Sequence, residues 1–118
     1  LALGAASVIN IKAGRVGGYL EAVRIHDLCR EAGVPVWCGG MLETGIGRAA
    51  NAALAALPGF TLPGDVSASD RFYARDIVTE PIRLEDGRVR VPTGHGLGVE
   101  IDPVALEDAT VARAELRR

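Results

Sequence analysis

The sequence contains a single lysine, Lys12, which ends the apolar run from Val8 and precedes a glycine-rich turn. An α/β sheet typically presents a catalytic group at the carboxyl end of a strand. Lysine can lose its proton under working conditions, whereas arginine stays protonated. The position equally suits a surface lysine whose stem covers apolar atoms. The local pattern therefore makes Lys12 either an acid–base group or a solvated side chain.

A second candidate site follows the apolar segment 34–38, where a glycine-rich loop leads into a helix. The amino end of such a helix points backbone N–H groups at the loop and favours an anionic ligand. Within the loop, Glu43 is open between contact with a ligand and a structural role, since both Glu43 and Thr44 suit a helix start. We select Gly40, Met41, Glu43, Gly45 and Ile46 as candidate ligand contacts.

The cysteines, the histidines and the tryptophan are weaker candidates for a functional site. Cys29 and Cys38 match no zinc-binding spacing, and we expect both to be buried thiols without a disulfide. We predict that His26 is solvated on a helix flank and that Trp37 belongs to the core. His95, in a glycine turn, stays ambiguous.

The composition bounds the class of protein. With 118 residues, 48% hydrophobic, 24% charged and a net charge of -2, the chain reads as globular. The weakly acidic balance argues against nucleic acid, and no apolar run is long enough for a membrane helix. Without a signal-peptide pattern we expect a cytoplasmic protein. Because the first residue is leucine, we interpret the chain as a piece of a longer protein.

The elements that must position these residues alternate between strand and helix. Strands are predicted at 8–12, at 34–38 and from 60, and helices at 19–32 and 46–57. The strand starts are 26 residues apart, as in a βα unit, and the strands are apolar runs, which indicates a buried parallel sheet. So few units cannot close an eight-stranded barrel. Further strands must lie upstream, or the sheet is small and open.

The pattern changes after about residue 67. The segment 82–91 alternates apolar and charged residues around Asp86-Gly87, which predicts a β-hairpin. The predicted register pairs Leu84 with Val89, Ile82 with Val91, and Glu85 with Arg88. A short strand at 99–101 and a helix over 103–116 complete the prediction. The glycines at 94, 96 and 98 do not fit a dinucleotide-binding loop.

Several segments together carry a resemblance to a known family. They resemble the carboxyl-terminal third of the o-succinylbenzoate synthase / N-acylamino acid racemase family of the enolase superfamily. The matching segments are Ile9-Asn10-Ile11-Lys12, Gly14-Arg15-Val16-Gly17-Gly18, Trp37-Cys38-Gly39-Gly40-Met41-Leu42-Glu43-Thr44-Gly45-Ile46-Gly47-Arg48, Leu62-Pro63-Gly64-Asp65 and Gly96-Leu97-Gly98-Val99.

This resemblance implies an α/β fold, a (β/α)7β modified TIM barrel topped by an α+β capping domain. Residues 1–66 would supply barrel strands 6 to 8 with their helices. Residues 67–118 would return to the capping domain.

The resemblance also implies a chemistry. Lys12 matches a lysine on the sixth strand that faces a second lysine, from a K-x-K motif, across the substrate. Three upstream carboxylates would hold a divalent metal, Mg2+ or Mn2+, so that no metal ligand is expected in this chain. In the dehydration that makes o-succinylbenzoate for menaquinone, Lys12 would stabilise the enolate as a cation. In a racemase, two lysines would take and return the α-proton.

Three functional hypotheses follow. The first is a metal-dependent carbon–oxygen lyase acting on a small carboxylate, with N-acylamino acid racemase as the alternative activity and a homo-oligomeric full-length protein. The second is a phosphate-binding barrel enzyme that holds phosphate at the helix after Gly39-Gly40. The third is an inactive truncated product. We expect the chain expressed alone to be inactive and poorly folded.

Overall fold

The computed structural model describes residues 1–116 and contains four helices and four short strands in that range. The longest helix has 13 residues, and within the described range none is long and apolar enough to cross a membrane. The elements are β1 (Ile9–Ile11), α1 (Ala13–Val16), α2 (Tyr19–Glu31), β2 (Val36–Cys38), α3 (Gly45–Ala55), β3 (Leu84–Glu85), β4 (Arg88–Val89) and α4 (Pro103–Ala109), with a 3-10 turn at Ser69–Arg71.

Strands β1 and β2 pair in parallel, with Ile11 opposite Cys38. The segment predicted to begin a third strand runs beside β2 and is joined to it by parallel bridges at Val36–Phe60 and Gly39–Asp65. The parallel order predicted from the sequence is therefore confirmed. The third segment touches the sheet at separate points and forms no continuous strand.

The two faces of this sheet differ in character. One face packs against the helices and forms the core, whose buried members are Ile11, Ala13, Ala22, Cys29, Val36, Cys38 and Leu54. Side chains alternate along a strand, so Asn10 and Lys12 project from the opposite face. Trp37 pairs with Asn10 and shares that face. It is half-buried and lies outside the core cluster.

His26 lies inside the protein, so the prediction that it is solvated is wrong. The ring is only 2% exposed, stacks on Phe60 with centroids 5.2 Å apart, and its Nε2 accepts a hydrogen bond from the Gly59 N–H at 2.9 Å. Because Nε2 accepts, the proton of the neutral ring lies on Nδ1, 2.9 Å from Asp27 Oδ1. His26 is buried because its ring accepts the hydrogen bond of the Gly59 N–H, in a turn that is distant in the sequence.

Helix α3 buries a different set of residues from the apolar stripe that helical periodicity predicts, which consists of Ile46, Ala49, Ala50, Ala53, Leu54 and Leu57. Ala49 and Leu54 are buried as expected, but so are Arg48, Asn51 and Ala52. The other apolar positions of the stripe line a groove shared with α2 and Leu97; this groove is lined by Tyr19, Val23, Ile46, Gly47, Ala50, Ala53, Leu54, Leu57 and Leu97. Periodicity identifies an apolar face but not the neighbour that covers it.

The hairpin is confirmed in a shorter form. Leu84 pairs with Val89 and Glu85 with Arg88 in an antiparallel ladder, and the turn residue Asp86 has φ of 49°, as a two-residue hairpin turn requires. The predicted pairing of Ile82 is replaced by hydrogen bonds with Ser69, whose N–H donates to the Ile82 carbonyl at 2.8 Å.

The carboxyl-terminal segments are also shorter than predicted. The segment 99–101 forms a single antiparallel bridge between Ile101 and Val78. Helix α4 is capped by the Asp102 side chain and ends at Ala109, seven residues before the predicted end. The next apolar residue, Val111, is fully exposed. Residues 111–116 are exposed, so an extension of the helix would bury little and gain too little stability to form.

Candidate active site

The backbone around Lys12 is fixed from both sides. Strand β1 ends at Ile11, Lys12 keeps an extended conformation with φ of -115°, and α1 begins at the next residue. The Lys12 carbonyl accepts hydrogen bonds from the N–H groups of Arg15 and Val16. Gly17, with φ of 94°, ends α1 in a left-handed conformation that glycine adopts without strain. Lys12 is thus held at the junction of a strand and a rigid turn.

The Lys12 side chain lies across the loop that follows β2. Its Nζ donates a hydrogen bond of 2.6 Å to the carbonyl of Gly40. A Cβ at position 39 would clash with Asn10 Oδ1 and would lie 2.8 Å from both Cγ and Cε of Lys12. Gly39 therefore provides the space in which the Asn10 amide and the lysine stem rest. Gly40 in turn lies against the Asp65 backbone carbonyl.

Glu43 folds back onto its own loop. Its Oε2 accepts a hydrogen bond of 2.7 Å from the Met41 N–H, and its Oε1 accepts one of 3.0 Å from Asn51 Nδ2. The Tyr19 hydroxyl donates to Asn51 Oδ1 at 3.0 Å. Thr44 occupies the N-cap position of α3, as the sequence suggested, but makes no side-chain cap hydrogen bond. Glu43 does not cap the helix and has instead the other structural role considered for it, within the loop.

The amino end of α3 is capped instead by Asp76. Its Oδ1 accepts a hydrogen bond of 2.8 Å from the Gly45 N–H, and the carboxylate is 3% exposed. Gly45 itself is buried beneath Val78. No local sequence pattern marks this cap, because Asp76 and Gly45 are 31 residues apart.

Arg48 is a buried cation directly behind the loop. The side chain is 1% exposed, and its Nη1 donates to the backbone and side-chain oxygens of Ser67 at 2.6 and 2.7 Å. The guanidinium carbon lies 5.4 Å from the centre of the Phe72 ring. These hydrogen bonds connect α3 to the chain segment at Ser67. Sequence reasoning missed its role because arginine in a helix usually faces water.

A cavity opens beside the Gly40 peptide. It has a volume of ≈ 210 Å³ and is lined by Gly40, Met41, Leu42, Asp65, Ser67, Arg71 and Phe72. Of the sequence-selected contacts, Gly40 and Met41 line this cavity. Glu43 supports the loop from behind, Gly45 is buried under Val78, and Ile46 lines the groove beside α2. The structure thus brings Lys12, Gly40 and Met41 together and places the other three behind them.

The electrostatic environment keeps two neighbouring groups neutral. Burial and the charge of Glu43 raise the pKa of the Cys38 thiol from 9.0 to about 11, while Lys12 acts in the opposite direction. Burial, then Glu43 and Cys38, raise the pKa of the Tyr19 hydroxyl. Both cysteines are free and buried, as expected. The Cys38 thiol is therefore protonated at neutral pH and unreactive.

The raised pKa of Cys38 predicts a loss of stability in alkali. The fold favours the protonated thiol, so this contribution is fully present below pH 9.0 and is lost as the pH rises through about 11. The loss is on the order of 2 kcal/mol. We expect the thermal unfolding midpoint of Cys38→Ala to fall less steeply over this pH range than that of the parent. Equal slopes in a matched pair of pH titrations would contradict the assignment.

The described residues do not form a metal site. No group of three or more His, Cys, Asp or Glu side chains in residues 1–116 is placed to hold a metal ion.

Comparisons with known proteins agree with this architecture. The enolase C-terminal domain-like family model matches residues 1–105. The chain is 65% identical over 111 residues to an N-succinylamino acid racemase from Amycolatopsis, covering 94% of this chain and 30% of that protein. It is 54% identical over 110 residues to an o-succinylbenzoate synthase from Geobacillus kaustophilus, covering 93% of this chain and 29% of that protein.

The fold is also similar to that of a solved structure. A member of the enolase superfamily from Listeria innocua superimposes with a TM-score of 0.87 and 50% identity, over 91% of this chain and 29% of that one. The chain spans about 30% of the length of the relatives it matches. The expected origin of the fold, the carboxyl-terminal part of a modified TIM barrel, is confirmed. This chain belongs to the enolase C-terminal domain-like family.

Proposed function

We propose that this chain forms the Lys12 side of the active site of an o-succinylbenzoate synthase-type lyase, whose remaining strands lie upstream. The observation that supports this most is the position of Lys12, at the carboxyl end of β1, with Nζ held 2.6 Å from the Gly40 carbonyl. The 54% identity to an o-succinylbenzoate synthase supports the choice of reaction. Residues 1–66 would belong to the barrel and residues 67–118 to the return toward the capping domain.

In this proposal Lys12 acts on the charge that develops when a proton leaves the carbon next to a carboxylate. A fixed ammonium beside the forming enolate stabilises it without needing to reorganise. Gly40 and Met41 would contact the succinyl arm in the cavity beside them. Glu43, Gly45 and Ile46 would support that wall from behind.

An N-acylamino acid racemase is the second candidate, favoured by the 65% identity to an N-succinylamino acid racemase. Its chemistry would ask more of Lys12, which would have to take or return the α-proton itself. Both reactions pass through the same type of enolate, so one geometry serves both.

The requirement for a divalent metal, Mg2+ or Mn2+, is part of this proposal and rests on the upstream strands. The proposal also includes a cytoplasmic location and assembly of the full-length protein into a homo-oligomer. A phosphate-binding barrel is less well supported, because the Asp76 carboxylate already accepts from the Gly45 N–H, at the helix end where phosphate would bind.

The proposal can be tested in a hybrid enzyme, in which residues 1–118 replace the matching carboxyl-terminal segment of the Amycolatopsis relative. We expect the purified hybrid to form o-succinylbenzoate and to racemise N-succinylamino acids, and to lose both activities in EDTA. The isolated chain, assayed as the control, should show neither. A folded hybrid without either activity, or full activity in the isolated chain, would contradict the proposal.

A further inference from the structure

The Gly40–Met41 peptide group is bound at both ends by charged side chains. Its carbonyl oxygen accepts from Lys12 Nζ at 2.6 Å, and its N–H donates to Glu43 Oε2 at 2.7 Å. A peptide group is planar and its dipole runs between these two atoms. The cation therefore lies at the negative end of the dipole and the anion at its positive end.

This arrangement strengthens both contacts. Hydrogen bonds to ionised groups are shorter and stronger than neutral ones, and the two distances match that class. Bonds in a chain also polarise one another. The Glu43 carboxylate thus acts on the Lys12 ammonium through one peptide group, without touching it.

The position of Glu43 is itself prepared by the surrounding residues. A Cβ at Gly47 would lie 2.8 Å from Cβ and Cγ of Glu43, so glycine leaves room for the side chain to fold back. Asn51 holds the second carboxylate oxygen at 3.0 Å, and the Tyr19 hydroxyl holds Asn51 in turn. Both oxygens of Glu43 are used inside the protein, which leaves the carboxylate poorly placed to bind a substrate.

We propose that Glu43 is a positioning residue that orients the Lys12 ammonium through the Gly40–Met41 peptide. Lysine has three N–H donors, and the structure of residues 1–116 shows one of them engaged, with Gly40. Holding that donor directs the others toward the reacting substrate. This inference rests on the proposed function, because it assigns Glu43 a role only if Lys12 acts in turnover.

The test separates the charge of Glu43 from its hydrogen bonds. In the hybrid enzyme, Glu43→Gln removes the charge and leaves an amide facing the Asn51 amide. In the double variant Glu43→Gln/Asn51→Asp all of these hydrogen bonds can re-form, with the carboxylate moved to position 51. The net charge is then unchanged. Glu21→Gln, which neutralises a solvent-accessible carboxylate on α2, is the control and should keep parental kinetics.

We expect Glu43→Gln to lower kcat about 10- to 100-fold with KM nearly unchanged, the usual effect of losing an outer partner of an active group. The double variant should regain the thermal midpoint of the parent but not its kcat. If the double variant regains kcat together with its midpoint, or if Glu43→Gln keeps parental kcat, the inference is wrong. If Glu43→Gln does not fold, the kcat of the double variant relative to the parent tests the inference.

Lys12→Ala, assayed in parallel, distinguishes the two levels of the argument. An inactive Lys12→Ala beside a fully active Glu43→Gln overturns only the role of Glu43. Parental turnover in Lys12→Ala overturns the proposed function.

Discussion

Lys12→Ala in the hybrid enzyme should lower turnover by about 10²- to 10⁴-fold, the range typical of a positioned proton-transfer or charge-stabilising group. The loss should appear with both substrates, because both reactions develop charge at the same carbon. Lys12→Arg should not restore activity, because a planar guanidinium stays protonated and cannot replace a compact ammonium on the bond to Gly40. Steady-state kinetics of the three proteins measures the effect.

Metal binding provides the control for this prediction. The described residues contain no metal site, so the hybrid and its Lys12→Ala variant should bind magnesium with the same affinity by calorimetry. Parental turnover in the alanine variant would reduce Lys12 to a surface residue.

Gly39→Ala should also remove most turnover, by about 10- to 100-fold, although position 39 carries no functional group. The added methyl would clash with Asn10 Oδ1 and would lie 2.8 Å from Cγ and Cε of Lys12, so both the Asn10 amide and the lysine stem must move away. A displacement of this size at a reacting group is enough to cost about two orders of magnitude in rate. The obstructed atoms belong to side chains, so we expect a smaller effect on the thermal midpoint than on kcat.

Gly14→Ala is the matched control, since a Cβ there meets nothing within 4 Å. It should keep parental kinetics. Combining Gly39→Ala with Lys12→Ala should add little to the lysine variant alone, because both changes remove the same interaction. Additive losses would show that Gly39 acts by some other route.

The order of β1, α2, β2 and α3 and the position of Lys12 follow from the sequence alone, whereas the short helix α1 does not. Apolar runs of strand length, helical periodicity and a glycine just past the end of α2, Gly33 with φ of 67°, are local signals that do not depend on the fold. The loop after β2 was recognised for the same reason. Glycine spacing and a following helix define it locally.

The partners of these residues could not be read in this way. Asp76 caps α3, and His26 accepts a hydrogen bond from Gly59, 33 residues away. Both contacts depend on the path of the chain between the elements, which no local pattern records. The binding of Lys12 and Glu43 to the same Gly40–Met41 peptide could not be predicted either, because it depends on both the β1–β2 register and the loop geometry.

The cap on α3 has a consequence for how this chain could exchange segments with its relatives. The expected boundary at residue 66 divides the chain by topology, yet Asp76 beyond it serves Gly45 before it, and Ser67 serves Arg48. The Tyr73 hydroxyl likewise donates to the Leu42 carbonyl at 2.5 Å. A crossover at residue 66 would separate Gly45, Arg48 and Leu42 from these hydrogen-bond partners and replace the partners with residues of another protein. Recombination that moves residues 39–76 as one block would carry the site wall and its supports intact.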